Sequence, residues 1–222
     1  KEVRTIQKDI LNSYQRDMSK HAPSEIIPRI TDLWKSLPAQ LSKENRKFIY
    51  GVVREGARAR EYELALQWLL DAGLIYKVYN VKAPRLPLAS YEDRAAFKIF
   101  VLDVGLLGAM SNLKAATIVD GNSIFTEFKG ALTEQYVLQQ LLATGLQHVY
   151  YYSSDTSRME MDFLIQRGKQ GGAHLPECHP DHQGAQRHQK NRIPHQNACL
   201  ERPHDLRPVV TLKRDRLLNC KI

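Results

Sequence analysis

Three acidic side chains in the middle of the chain carry carboxylates, a side-chain type that can bind a divalent metal. Glu134 lies in a stretch with helical periodicity, and Glu160 and Asp162 lie two residues apart in a strand-like stretch. Side chains two positions apart point to the same side of a strand, so Glu160 and Asp162 are predicted to share a face. Carboxylate oxygens are the ligands that Mg²⁺ prefers, and bound Mg²⁺ can activate water for hydrolysis. The alternative is that Glu134 is a solvated helix residue and Asp162 pairs with a neighbouring cation.

A second set of metal-binding residue types lies near the C-terminus. Cys178 and His182 are separated by three residues, as are His195 and Cys199, and twelve residues lie between the two pairs. Four such ligands could bind zinc tetrahedrally. Only Ile193 lies between them as a core side chain, and histidine is frequent here, so chance explains the spacing better than a zinc site does.

Three arginines, Arg54, Arg58 and Arg60, flank the start of a predicted helix and could contact nucleic-acid phosphates. The chain carries a net charge of +8, with 32 Lys and Arg against 24 Asp and Glu. This balance is compatible with a nucleic acid or another polyanion as a partner. The alternative is that these arginines only solvate a helix end.

The elements that must position these residues begin with four helices. We predict that Ser24 caps the second helix, which ends before Pro38, and that Ser42 opens the third. The fourth runs from about Arg60 to Ala72 and ends at Gly73. The apolar positions with helical spacing are Val3, Ile6, Ile10, Leu11 and Tyr14; then Ile26, Ile27, Ile30, Leu33, Trp34 and Leu37; then Phe48, Ile49, Val52 and Val53; then Leu64, Ala65, Trp68 and Leu69.

Strands follow the fourth helix. Residues 74–81 and 97–102 are rich in β-branched and aromatic side chains, and a turn is predicted at 103–105. Three helices followed by two strands are typical of a winged helix, a fold that binds either DNA or protein. A long helix is predicted from Ser123 to about Ala143, and strands at 148–153 and 158–165 form a hairpin. Asp103 is interpreted as a turn-former or helix cap rather than a catalyst.

Composition changes sharply after Gln170. The last 52 residues hold all three cysteines, six of the eight histidines and no aromatic residue. So few apolar side chains cannot offset the entropy of ordering the segment. We considered a disordered basic tail, a small metal site, and translation out of frame, and we favour the last. The body has no cysteine, no membrane span and no signal peptide, which suits a cytoplasmic protein.

Several segments together resemble one large prokaryotic family. They are Asp71-Ala72-Gly73-Leu74-Ile75, Phe100-Val101-Leu102-Asp103-Val104-Gly105-Leu106, the run from Phe128 to Val137, and the run from Met159 to Ile165. The family consists of AAA-type ATP-binding proteins with a C-terminal domain of unknown function that looks like a PD-(D/E)XK nuclease. The resemblance covers residues 1 to about 170. Because the chain begins with Lys1 rather than Met, we expect it to be part of a longer protein.

The resemblance implies an α+β chain in four parts. Residues 1–22 would be the end of the ATPase core or a lid helix, and residues 23–112 a winged-helix-like domain. Residues 113–170 would be a partial nuclease-like domain, and residues 171–222 a basic tail of low order. Glu134 and Asp162 match the family's first two acidic positions. The family's third strand, of the form Glu-x-Lys, is replaced by Gly171-Gly172-Ala173-His174-Leu175.

The expected function follows from these matches and gaps. The sequence contains no G-x-x-x-x-G-K-[ST] phosphate loop, so this chain is not expected to hydrolyse ATP by itself. ATP and Mg²⁺ are expected only in a complete family member, and no cofactor is expected here. DNA and the protein's own or a partner ATPase core are the expected partners. The alternatives are a Mg²⁺-dependent nuclease with its missing ligand supplied elsewhere, such as by Glu177, and a protein-binding adaptor.

Overall fold

The computed structural model describes residues 2–42, 47–113, 123–153, 160–166 and 209–212. The chain has a mixed α+β fold, as predicted. Its α-helices are α1 (Glu2–His21), α2 (Ile27–Ser42), α3 (Tyr50–Val53), α4 (Ala59–Asp71), α5 (Val104–Met110) and α6 (Ser123–Ala143). Its strands are β1 (Ile75–Val81), β2 (Glu92–Val101), β3 (Tyr150–Ser153), β4 (Glu160–Gln166) and β5 (Val209–Leu212), and a 3₁₀ turn spans Leu88–Tyr91. No helix in the described ranges is long and apolar enough to span a membrane.

Helix α1 forms as predicted, but it buries only the later part of the predicted face, where Leu11 is buried and Tyr14 packs partly buried against the core. Val3, Ile6 and Ile10 are 68%, 54% and 37% exposed, whereas Leu11 and Met18 are buried. Contacts with α5 and with the residues that follow it hold α1 in this orientation. The guanidinium of Arg4 donates hydrogen bonds to the backbone oxygens of Gly105 at 3.2 Å and Leu113 at 2.9 Å.

The predicted boundaries of the next two helices are wrong. Helix α2 begins at Ile27, after the turn that contains Ser24, and continues through Pro38 to Ser42. Buried Gln40 secures the part after the proline, because its amide donates to the Ile49 oxygen at 2.8 Å and accepts from the Ile49 N–H at 3.2 Å. Helix α3 is a single turn from Tyr50, so Ser42 does not open it.

The fourth helix matches the prediction in its bounds, but its buried face includes Leu66, and Leu64 of the predicted apolar face is 70% exposed. Helix α4 ends beside Gly73, which has a φ of 68°, a conformation that glycine adopts without strain. The Gly73 N–H donates to the Leu70 oxygen and the Leu74 N–H to the Leu69 oxygen, which is a glycine-based helix stop. This stop turns the chain directly into β1.

One sheet contains all five strands, in the order β2-β1-β3-β4-β5. Strands β1 and β2 pair antiparallel, β1 and β3 parallel, and β3 and β4 antiparallel, so the predicted hairpin is confirmed. Ile75 packs in the core formed with α1, α2, α4 and α5, whereas Val78 packs with Leu138 and Leu141 of α6 on the other face. Strand β4 is buried on both faces rather than on alternate residues as predicted.

In the second half of the chain, Asp103 is the N-cap of α5 and accepts from the Leu106 N–H at 2.9 Å, which confirms its interpretation as a helix cap. The predicted turn at 103–105 is the start of this helix. The predicted low-order tail contains β5, whose four residues pair with Phe163–Gln166 of β4. The segment reads Val-Val-Thr-Leu, a β-forming composition that fits the open edge of β4.

Candidate functional site

The strand of Asp162 contains a β-bulge at that residue. Tyr152 pairs with Met161 and Tyr150 pairs with Leu164, so the register shifts between them. One residue of β3, Tyr151, therefore lies opposite two residues of β4, Asp162 and Phe163. Bulges redirect side chains and are common beside functional sites.

Polar side chains line up across four strands at this level of the sheet. Asp93 of β2 pairs with Asn80 of β1, and Asn80 pairs with Tyr151 of β3, which faces Asp162 of β4. The Asn80 side chain fixes the parallel pair, because its Oδ1 accepts from the Ser153 N–H at 3.0 Å and its Nδ2 donates to the Ser153 oxygen at 3.3 Å. We call Asp93, Asn80, Tyr151 and Asp162 the polar row.

Tyr151 is the unusual member of the polar row. The residue is 1% exposed, and its hydroxyl has no hydrogen-bond partner within the described residues. Burial raises the pKa of the Tyr151 hydroxyl, and the charges of Asp93 and Glu160 raise it further. The hydroxyl therefore remains protonated at neutral pH.

Glu134 lies beside the polar row in an ion pair that the sequence did not reveal. Lys98 Nζ of β2 is 3.3 Å from Glu134 Oε2 of α6, and the two side chains are only 11% and 13% exposed. The same ammonium lies 5.3 Å from the centroid of the Tyr151 ring, which is within cation–π range. Lys98 thus bridges the helix that carries Glu134 and the strand that carries Tyr151.

The three predicted catalytic carboxylates are in different environments. Asp162 is 7% exposed at the bulge, Glu160 is exposed at the start of β4, and Glu134 is paired with Lys98. The prediction that Asp162 shares a strand face with Glu160 assumed that side chains of β4 alternate regularly between the two faces. The bulge interrupts this alternation at Asp162. Among the described residues, no group of three or more His, Cys, Asp or Glu side chains could hold a metal ion.

Strand β5 adds no ligand next to β4. Its residues are Val209, Val210, Thr211 and Leu212, and none of them has a carboxylate. The described residues therefore do not fit a Mg²⁺ site of the kind that the resemblance implies. Cys178, His182, His195 and Cys199, and the alternative ligand Glu177, lie outside the described residues.

The predicted nucleic-acid contacts lie around the start of α4. Arg54, Arg58 and Arg60 are all exposed. Arg54 lines a cleft of about 420 Å³ together with the carboxylates of Glu25, Asp32, Glu55 and Glu61. The backbone N–H of Arg58 donates to Glu61 Oε2 at 3.1 Å, which caps the helix. The arginines are thus interspersed with carboxylates.

Helix α6 is bound to the β2–α5 connection by two glutamines that sequence analysis missed. Gln135 accepts from the Val101 N–H at 2.9 Å and donates to the Val101 oxygen. One turn later, Gln139 accepts from the Val104 N–H at 3.0 Å and donates to Asp103 Oδ2 at 3.0 Å. Their spacing of four residues places both glutamines on one face of α6, and this signal was available in the sequence. It did not identify Val101 and Val104 as their partners.

These features define an α+β protein in which helix α6 is joined by polar contacts to strand β2 and to the start of α5. The chain belongs to the family described as "Domain of unknown function (DUF8612)", which matches residues 1–117, more than half of its 222 residues. Residues 129–180 match "Domain of unknown function (DUF4143)". No curated protein and no solved structure matches the chain. The bonds from Lys98 to Glu134 and from Val101 to Gln135 join the two matched segments.

Proposed function

We propose that this chain is the partner-binding part of an AAA-type ATP-binding protein and that its nuclease-like domain acts as a structural joint rather than a catalyst. The resemblance of residues 1 to about 170 supports this proposal, as does the DUF4143 match, because that domain is often found in ATPase-associated proteins. ATP and Mg²⁺ would be bound by a core outside this chain. The cysteine-free body supports action in the cytoplasm.

The observation that carries the non-catalytic part of the proposal is the ion pair between Lys98 and Glu134. A metal ion at Glu134 would have to compete with this ion pair for the carboxylate. Glu134 is mostly buried and its charge is balanced by Lys98 at 3.3 Å. Its neighbour Gln135 is 1% exposed and binds the backbone of Val101. This part of α6 therefore contributes to stability.

The choice between a nucleic acid and a protein partner rests on the charges of α4, the helix in the recognition position of the winged-helix-like segment. Its exposed charged residues are one arginine, Arg60, and three carboxylates, Glu61, Glu63 and Asp71. Nucleic-acid surfaces attract excess Lys and Arg. The excess of carboxylates favours a protein partner.

A cleavage assay tests the non-catalytic proposal. Purified protein is incubated with supercoiled plasmid and Mg²⁺, alongside Glu134→Gln, Asp162→Asn and the exposed control Asp17→Asn. We expect no cleavage above a no-protein blank, and we expect Glu134→Gln to lower the melting temperature. Mg²⁺-dependent cleavage that is lost in Asp162→Asn but kept in Asp17→Asn would establish the nuclease alternative instead.

A binding assay tests the choice of partner. Fluorescence anisotropy with a 20-base-pair duplex compares the wild type with the triple variant Arg54→Ala, Arg58→Ala, Arg60→Ala. The matched control replaces three exposed cations of α1, Lys8, Arg16 and Lys20. We expect the two triple variants to lower the affinity for the duplex equally, because any binding would come from the net positive charge of the chain rather than from α4. A steep dependence on salt that disappears only in the first variant would assign α4 to nucleic acid.

A further inference from the structure

The outer face of α4 is the part of the described surface that most resembles a docking site. Tyr62, Ala65, Leu66 and Leu69 are buried against the core, so the opposite side of the helix faces outward. Leu64 lies on that side and is 70% exposed, more than any other large apolar side chain of the described residues. Leu64 is thus a single exposed apolar side chain among the charged side chains of Arg60, Glu61 and Glu63.

The outer face of α4 and the cleft beside its start together have a charge balance opposite in sign to that of the whole chain. The α4 face and the adjoining cleft together contain six carboxylates and four guanidinium groups. They are Glu25, Asp32, Glu55, Glu61, Glu63 and Asp71, and Arg29, Arg54, Arg58 and Arg60. The balance of these groups is two negative charges (four minus six), and the Lys77 ammonium near Glu63 reduces it to one, whereas the whole chain has a net charge of +8.

Internal contacts leave this negative balance in place. Asp32 accepts a 3.4 Å hydrogen bond from the neutral Tyr62 hydroxyl, and Glu61 accepts from the backbone N–H of Arg58. Asp71 accepts from the Gln67 amide at 2.7 Å. None of these donors is a cation. The ammonium of Lys77 interacts electrostatically with Glu63, but it is half-buried and lies 4.6 Å from the centroid of the Phe97 ring.

We infer that the outer face of α4 docks a basic protein segment, with an apolar side chain of the partner against Leu64 and Lys or Arg side chains against the surrounding carboxylates. The cleft between α2 and the start of α4 is continuous with this face through Glu61 and has the volume for an arginine side chain, about 420 Å³. Complementary charges would guide the encounter, and the apolar contact would hold the complex. This inference rests on the proposed partner-binding function and names the chemistry of the partner.

The probe is a 14-residue amphipathic helical peptide of leucine, lysine and alanine, and its control has every lysine replaced by glutamine. Binding to the full chain is measured by amide chemical shifts and by anisotropy at two salt concentrations. We expect the basic peptide to shift amides of α4 and of residues 54–57, and the neutral peptide not to bind. Leu64→Gln should weaken binding about tenfold, as loss of one apolar contact implies. The double variant Glu55→Gln, Glu63→Gln should weaken it several-fold and reduce its salt dependence.

Val3→Gln is the matched control, because Val3 is 68% exposed on α1 and lies outside this face. It should bind the basic peptide like the wild type. Equal binding of both peptides, or equal losses in Val3→Gln and Leu64→Gln, would overturn the inference. Tighter binding of the 20-base-pair duplex at the same amides would also overturn it. If the peptide fails while the plasmid assay shows no cleavage, only the docking inference falls and the non-catalytic proposal stands.

Discussion

Gln135 of α6 satisfies both backbone groups of Val101 at the end of β2. Its Oε1 accepts from the Val101 N–H at 2.9 Å, its Nε2 donates to the Val101 oxygen, and the side chain is 1% exposed. Strand β2 lies at the edge of the sheet, so its outward N–H and C=O groups need partners from outside the sheet. A single side-chain amide supplies both partners and acts as a short substitute for a neighbouring strand.

Replacing Gln135 with leucine should therefore destabilise the fold strongly. Two buried backbone groups would lose their partners, at about 1–3 kcal/mol each, so we expect a loss of about 2–6 kcal/mol. Urea unfolding followed by circular dichroism measures this loss. Gln140→Leu is the control, because Gln140 is exposed on the same helix and should change stability by less than about 0.5 kcal/mol. Equal effects of the two variants would show that Gln135 has no special role.

Breaking the ion pair between Lys98 and Glu134 should cost more than replacing both members. Lys98→Met leaves a mostly buried carboxylate without its cation, which costs about 3 kcal/mol in comparable pairs. The double variant Lys98→Met, Glu134→Leu should recover most of that loss, because both charges are removed. A double-mutant cycle by urea unfolding measures the coupling. Strictly additive effects would mean that the pair contributes no coupling energy.

Sequence periodicity predicted the elements that are regular over many residues. Helices α4 and α6, strand β1 and the β3–β4 hairpin were found within a few residues of their bounds. Their bounds were predictable because local composition and turn signals mark them, although Leu64 of α4 and the alternation of β4 did not follow the predicted burial. Gly73 also marked the end of α4, because a positive φ at a helix stop favours glycine.

The failures share a physical cause: distant contacts determined the outcome. The buried face of α1 depends on Arg4 reaching oxygens of Gly105 and Leu113, more than a hundred residues away. The site was only partly predictable for the same reason. Glu134 was identified, but its partner Lys98 lies 36 positions earlier in a strand, and no local spacing connects them. The bulge at Asp162 depends on pairing with β3, which local alternation cannot reveal.

Two leucines of α4 provide a direct test of which side of that helix is packed. Leu69 is fully buried, and Leu69→Ala should cost about 2–5 kcal/mol through lost burial and a residual cavity. Leu64 is 70% exposed, and Leu64→Ala should change the free energy of unfolding by less than about 0.5 kcal/mol. Thermal and urea unfolding of both variants measure the difference. A large loss in Leu64→Ala would mean that this side of α4 is covered in solution.

The buried hydroxyl of Tyr151 should make stability depend on alkaline pH. Burial raises the pKa of this hydroxyl above its ordinary value of 10.0, so the unfolded chain releases the proton first. The contribution of this protonation difference to the free energy of unfolding is fully present below pH 10. It is lost as the pH rises from 10 toward the pKa of Tyr151 in the folded state. One such group gives a slope of up to about 1.4 kcal/mol per pH unit.

Tyr151→Phe removes both the titration and the hydroxyl that has no partner among the described residues. We expect it to raise stability at pH 7 by about 1 kcal/mol, since a buried unpaired polar group is removed. Above pH 10 its stability should fall less steeply than that of the wild type, although other tyrosines with raised pKa values, such as Tyr62 and Tyr150, keep part of the slope. Urea unfolding between pH 7 and pH 11 measures both effects. The control is Tyr76→Phe, because Tyr76 is 36% exposed and its replacement should change stability at pH 7 by less than about 0.5 kcal/mol. A loss of stability in Tyr151→Phe at pH 7 would instead mean that the hydroxyl makes a stabilising hydrogen bond, to water or to a residue outside the described ranges.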